Sequence, residues 1–280
     1  MDSYKVRRFK DRLFTFLGVA CVVIAVIPLG SILLEVIVKG APALSWAFLT
    51  SSSLPSPTSP GGIGPAIQGT LVLVGLTCII GMPIGVMSGI YLAEYGDNAY
   101  ASVMRFFNDV LTEFPTIIAG ISIYLIFVLL FGYSPLAGAL ALSFILVPIV
   151  SRTTEESIKL VPNSIREASS ALGIRKWRTT VSIVLRAARA GIITGSLLAV
   201  ARVAGETAPL LFTAFGNTYY LHGLSGPVGS LTMYIFTDWK QPYLGYQQAA
   251  WGAALLLILM VLVINITVRL ASWKRPAGRR

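Results

Sequence analysis

An arginine and a glutamate four residues apart, inside a long apolar run, are the side chains of this sequence best placed to act on a charged solute. The run 187–215 contains Arg202-Val203-Ala204-Gly205-Glu206-Thr207-Ala208-Pro209. Arg202 falls near its middle. An isolated charge at the centre of a bilayer costs ~3 kcal/mol on insertion scales and more in simulations, so it must face protein or water. On a continuous helix Glu206, at i+4, is close enough to pair with Arg202. Pro209 cannot donate to the carbonyl of Gly205, which loosens the backbone beside the pair. Three roles fit: a structural ion pair between helices, part of a substrate path, or a proton relay. A relay would more often use several acidic residues. A cation at mid-depth suits an anionic substrate.

A second constellation lies in a basic, water-facing stretch. Pro162 stops whatever precedes it. Ser164-Ile165-Arg166-Glu167 fits a capping box, with Ser164 as N-cap and Glu167 at N3. Gly173 fits the position just past a helix C-terminus. The enclosed helix of about two turns puts Ile165, Ala168, Ala171 and Leu172 on one side. So short a helix is unstable alone and must pack on something. Its small residues suit a cleft in another protein. The basic run Arg175-Lys176-Trp177-Arg178 equally suits lipid headgroups.

The elements that position these residues are membrane spans. Of the 280 residues 55% are hydrophobic and 12% charged, against about 25% charged in soluble domains. The apolar residues form long runs rather than the alternation of a transmembrane barrel. The pattern predicts an all-α membrane protein, one domain over 1–280, with six spans at about 13–38, 66–92, 115–131, 136–151, 187–215 and 249–271. Spans three and four form a hairpin across Phe131-Gly132-Tyr133-Ser134-Pro135. Basic residues crowd the N-terminus (Lys5, Arg7, Arg8, Lys10, Arg12), the loop 152–186 with its flanks, and the C-terminus (Arg269, Lys274, Arg275, Arg279, Arg280). The opposite side has Lys39 and Lys240. Basic segments stay cytoplasmic, which predicts both termini inside. The formal charge of +10 is therefore a topology signal, and no nucleic-acid partner is expected.

Cys21 and Cys78 sit in apolar runs and are expected as unpaired thiols. A lone His222 is too little for a metal site. The absence of a G-x-x-x-x-G-K-[ST] motif means that this chain is not expected to cradle ATP. Residues 50–65 are Ser-, Pro- and Gly-rich and read as a linker. The stretch 216–248, with Tyr219, Tyr220, Tyr234, Trp239, Tyr243 and Tyr246, reads as an interfacial aromatic belt or a half-buried outer helix. Gly81, Gly85 and Gly89 make a stripe for close helix packing, either within the chain or against a second subunit. Glu94, Asp97, Arg105, Asp109 and Glu113 read as a solvated face or a further contact with a soluble partner.

The order Glu167, Ala168, Gly173, Ile183, Leu185 resembles the EAA loop of bacterial ABC importer permeases. Ser169 replaces the second alanine of that pattern, and Arg186 its proline. The stretches 89–96, 105–109, 147–155 and 201–214 resemble, more narrowly, permeases of bacterial phosphate importers, and the similarity runs from about 65 to 271. The resemblance implies a type I, MetI-like permease in the cytoplasmic membrane. Glu167, Ala168 and Gly173 would belong to the coupling helix that docks on the ATPase, and Arg202, Glu206 and Thr207 would line the phosphate path. It implies a second permease subunit, an ATPase dimer holding ATP and magnesium, an extracytoplasmic phosphate-binding protein and surrounding lipid. No catalytic residue, cofactor or metal is expected in this chain. A permease for another oxyanion such as sulfate or molybdate, and a stand-alone secondary transporter or channel, are the alternatives.

Overall fold

The computed structural model describes residues 2–273, so the basic residues Lys274, Arg275, Arg279 and Arg280 lie outside the described residues. Eleven helices carry the described chain. They are α1 (Asp2–Gly40), α2 (Trp46–Thr50), α3 (Gly64–Glu94), α4 (Ala99–Glu113), α5 (Thr116–Phe131), α6 (Pro135–Lys159), α7 (Asn163–Ala171), α8 (Lys176–Ala204), α9 (Ala208–Thr213), α10 (Leu231–Asp238) and α11 (Leu244–Trp273). Five are apolar and long enough to cross a bilayer: α1, α3, α6, α8 and α11. A sixth crossing exists if α4 and α5, bent by 104°, count as one span.

Lengths place the ends. At 1.5 Å per residue, the 31 residues of α3 span about 46 Å, against a hydrocarbon core of about 30 Å. Part of it therefore extends beyond the lipid, and its last turn, the end of α6 and the start of α8 carry charged residues. These three ends meet at one pole of the bundle, which also carries α7. Here the basic loop is shorter than 152–186. α6 continues to Lys159, with Arg152 and Lys159 finding acidic partners one turn away in Glu156 and Glu155, and α8 begins at Lys176.

The centre of the bundle is α3 against α6. The glycine stripe makes this contact possible. A Cβ at Gly81 would lie 2.8 Å from Leu146, one at Gly85 2.8 Å from Val150, and one at Gly89 2.4 Å from the Ser151 carbonyl. The stripe is thus filled by this chain's own α6 and is not a seam for another subunit. Leu73, Leu142, Leu146, Val150, Ala199, Val203 and Leu210 form the buried core around it. Asn108 donates to Ser151 (2.9 Å) and Ser151 to Ser88 (3.0 Å), which ties α4, α6 and α3 together. Overpacking such a contact costs about 1–3 kcal/mol or more. Gly85→Leu is expected to lower the melting point of the purified protein by several degrees; an unchanged melting curve would remove the stripe from the packing account.

α8 runs antiparallel to α6. Gly191 faces Ser157, and Gly195 faces Thr153. At the opposite pole, Phe48, Ile63, Ala66, Leu231, Ala249 and Ala253 build a second buried cluster from α2, α3, α10 and α11. The segment 51–63 crosses that pole without helix, tightened by hydrogen bonds between Ser56 and Ser59.

Candidate coupling and translocation sites

α7 begins at Asn163, two residues before Ile165, the expected first helical position. Pro162 is its N-cap, and no side chain caps it; the Ser164 capping box does not form. Pro162 is extended (φ −57°, ψ 141°) and hands the chain directly into the helix, leaving Ser164 inside the first turn. The C-terminus follows the expectation for Gly173, which sits at φ +72°. The Gly173 N–H donates to Ser170 (2.9 Å) and the Ile174 N–H to Ser169 (3.2 Å), the pair of bonds that closes a Schellman turn.

The four residues expected on one side of α7 do not share one environment. Ile165, Arg166 and Ser169 face the bundle, whereas Ala168, Ala171 and Leu172 are exposed, Leu172 to 79%. Ile165 packs on the cluster of Ile158, Val161 and Val184. The Ser169 hydroxyl lies 2.6 Å from that of Thr179 on α8, and both are buried. The serine that departs from the alanine pattern is therefore a hydrogen-bonding element. Glu167 and Ala168 point outward, free of the bundle.

Arg166 sets this orientation. Its Nε and Nη2 donate to Glu94 at the end of α3, at 3.0 and 2.8 Å, and its Nη1 donates to the Val161 carbonyl at 2.8 Å. Lys176 donates to the Glu94 carbonyl and lies 4.4 Å from the Tyr95 ring centroid. Arg105 on α4 pairs with Glu155 on α6 (2.9 Å), and Asp109 pairs with Arg152 (3.1 Å). Glu94 is thus held inside the chain, whereas Asp109 is paired at the surface. The pairs of Arg152 are exposed and contribute about 0–1 kcal/mol. Glu94 is buried, and removing one member of such a pair typically costs about 3–5 kcal/mol.

Arg202, Glu206 and Thr207 lie at a break. α8 stops at Ala204, and the Gly205 and Glu206 N–H groups bond three residues back, to Arg202 and Val203. The helix predicted over 187–215 is therefore two pieces, and the i+4 geometry is lost. Among the described residues Arg202 and Glu206 form no ion pair. Pro209 is the second residue of α9, where a missing N–H costs nothing. Thr207 is the N-cap of α9, without a side-chain cap bond.

The depth of the break follows from the neighbours. Continuing the antiparallel pairing of Ser157 with Gly191 and Thr153 with Gly195 sets Arg202 level with Leu146, which touches Gly81 near the middle of α3. Irregular backbone at such depth persists only where it is buried in protein or lines a water-filled space. Val203 and Ala204 are buried against the core, whereas Arg202 is exposed on the other side and Glu206 is half-buried. Gln68 and Leu221 exchange two hydrogen bonds (2.7 and 3.2 Å). Thr70 accepts from the Leu231 N–H at 2.8 Å, and Thr232 donates to the Glu206 carbonyl at 3.0 Å. The far end of α3 therefore holds the segment that supports the break.

α10 is the half-buried helix expected in 216–248, with Leu231, Thr232, Met233 and Asp238 inside. One oxygen of Asp238 takes a hydrogen bond from Thr237, and the other has no partner among the described residues. Burial pushes the Asp238 carboxyl from 3.8 up to about 6, against the weaker opposing effect of that hydrogen bond. A carboxyl with a raised folded pKa binds more protons folded than unfolded, so stability falls as pH rises from about 4 through 6. Protection of 231–238 against hydrogen exchange, corrected for the intrinsic pH dependence of amide exchange, is expected to be greater at pH 5 than at pH 7.5, and Asp238→Asn should flatten the difference. The same pH response in that variant would assign it to another group.

The sequence contained signals for what it did not reveal. Glu94 is acidic at a helix C-terminus, where the dipole disfavours it, and that anomaly was the available hint of the Arg166 pair. Gly205 and Pro209 are the hint of the break, although by themselves they imply only a loosened helix. The partners of Gln68 and Thr70 lie more than 150 residues away in the chain, beyond the reach of any local pattern.

An inward-facing structure of the MetNI methionine ABC transporter superposes on this chain with a TM-score of 0.58 at 17% identity, covering 74% of this chain and 94% of its own; this shows an ABC permease fold. The model of the family described as binding-protein-dependent transport system inner membrane component matches residues 81–272. The phosphate transport system permease protein PstA of Yersinia pestis is 43% identical over 96% of this chain and 92% of its own length. Its counterpart in Haemophilus influenzae is 43% identical over 94% of both chains. A probable PstA of Methanocaldococcus jannaschii is 38% identical over 95% of both. The chain belongs to the binding-protein-dependent inner membrane transport components and, within them, to the PstA permease family. It is a multi-pass inner membrane protein.

Proposed function

We propose that this chain is a permease subunit of an ATP-driven phosphate importer and forms one half of its pathway. The observation that carries the reading is near-complete alignment, at about 40% identity, with bacterial and archaeal phosphate permeases. The basic pole faces the cytoplasm. There the exposed Glu167, Ala168 and Gly173 dock on a PstB-like ATPase pair, which holds the ATP and magnesium. A PstC-like second permease supplies the other wall, and a PstS-like binding protein delivers phosphate from outside.

Arg202 is the positive element of the path. It is exposed at mid-depth, and a guanidinium there requires water or a partner subunit in place of lipid. With no ion pair to Glu206, its donors are open to a phosphate oxygen, and charge-assisted bonds of this kind are strong. Glu206, half-buried beyond the break, opposes tight retention of the anion, and Thr207 adds a hydroxyl at the same level. The chain carries out no covalent step.

The test is reconstitution of the complete complex in liposomes with binding proteins for phosphate, sulfate and molybdate. ATP hydrolysis and uptake are expected to rise with the phosphate-loaded protein. Flux through this chain with no ATPase present would overturn the reading.

A further inference from the structure

We propose that Glu94 is the positioning residue that converts movement of α7 into movement of α3, and through α3 reaches the break at Arg202. The proposal rests on the reading of α7 as the part moved by the ATPase.

Three cations from three elements grip the last turn of α3. Arg166 of α7 places two donors on one oxygen of Glu94, whose side chain is 3% exposed. Lys176, at the start of α8, holds the Glu94 carbonyl. Arg105 of α4 holds the carbonyls of Leu92 (2.8 Å) and Gly96 (3.1 Å). Cations on the free carbonyls of a helix C-terminus are favourable. A carboxylate in that turn is not, because it adds to the negative end of the dipole. Glu94 therefore weakens its own helix and is accounted for by what it binds. Arg105 and Lys176 would secure the carbonyls of α3 without it. Among the described residues the carboxylate adds one connection, the one to α7.

That connection has a continuation. α3 runs as one helix from Gly64 to Glu94, with Pro83 inside it, and is packed along its length on α6. Its other end carries Gln68 and Thr70, which hold Leu221 and Leu231, and Thr232 beside Leu231 binds the carbonyl of Glu206. A displacement of α7 cannot leave α3 behind without exposing a buried charge. The end of α3 follows it, and the far end shifts the support of the break.

The experiment uses the full complex and two readouts. In the wild type, ATP binding is expected to change hydrogen exchange at 163–171 and at 205–231. Glu94→Gln should retain the first response, lose the second, and lower phosphate moved per ATP about tenfold with the ATPase still bound. Glu94→Asp should recover part of both losses. Arg166→Lys, which keeps the charge but forfeits the second donor to Glu94, should act like Glu94→Gln, and it decides the matter if Glu94→Gln does not assemble. Assembled variants with both exchange responses and a wild-type transport ratio would overturn the proposal. So would a loss of assembled complex with an unchanged ratio, which marks a purely structural pair. A wild-type complex that shows both exchange responses but moves no phosphate would refute the phosphate reading and leave Glu94 in its role.

Discussion

Arg202→Gln is expected to reduce phosphate uptake about 100-fold or more while the complex assembles in normal amount. The two halves of this expectation have separate grounds. Hydrogen bonds to charged groups contribute about 1.5–3 kcal/mol each, and 1.36 kcal/mol is a factor of ten in rate, so losing a guanidinium that meets an anion with two donors accounts for two decades or more. Assembly should survive because Arg202 is exposed and makes no ion pair among the described residues; its neighbours Val203 and Ala204 carry the packing on that turn. Arg202→Lys retains the charge without the fork and should fall between the two. Uptake and co-purification of the subunits check both halves. Wild-type uptake by the glutamine variant would take Arg202 out of the path.

Gly173→Val is expected to release the ATPase, with co-purification down tenfold or more, while the membrane bundle stays folded. Gly173 sits at φ +72°, where an L-residue costs about 1–2 kcal/mol and a β-branched one more. Relieving that strain breaks the Ile174-to-Ser169 bond and lets the end of α7 unwind beneath its exposed face. Within this chain a Cβ there would touch nothing inside 4 Å, so the bundle itself gives no reason for misfolding. Gly173→Asn tolerates the left-handed conformation and should retain much of the docking. Equal ATPase recovery with valine and with glycine would show that α7 is not the docking element.

The apolar runs were legible because insertion is governed by hydropathy summed over a local window, and the tertiary contacts did not alter it. The same holds for the Gly173 turn, since a positive φ is a demand that one residue makes on itself. Tertiary structure decided the rest. Hydropathy alone carried the run 187–215 past Gly205, whereas the fold ends the helix at Ala204 and anchors the break through Thr232. Apolar spacing put Ile165, Ala168, Ala171 and Leu172 on one side of α7; the fold packs Ile165 and, with the Arg166–Glu94 pair, leaves the other three where a partner can reach them. In the acidic loop, Glu94 lost its apparent freedom to a partner 72 residues away. By itself the sequence determined that this is a helical membrane permease with a charge at mid-depth and a short helix at its basic pole. Which face that helix shows, and which charges stay unpaired, was decided only by the fold, because electrostatic pairing depends on distance in space and a linear pattern records only distance along the chain.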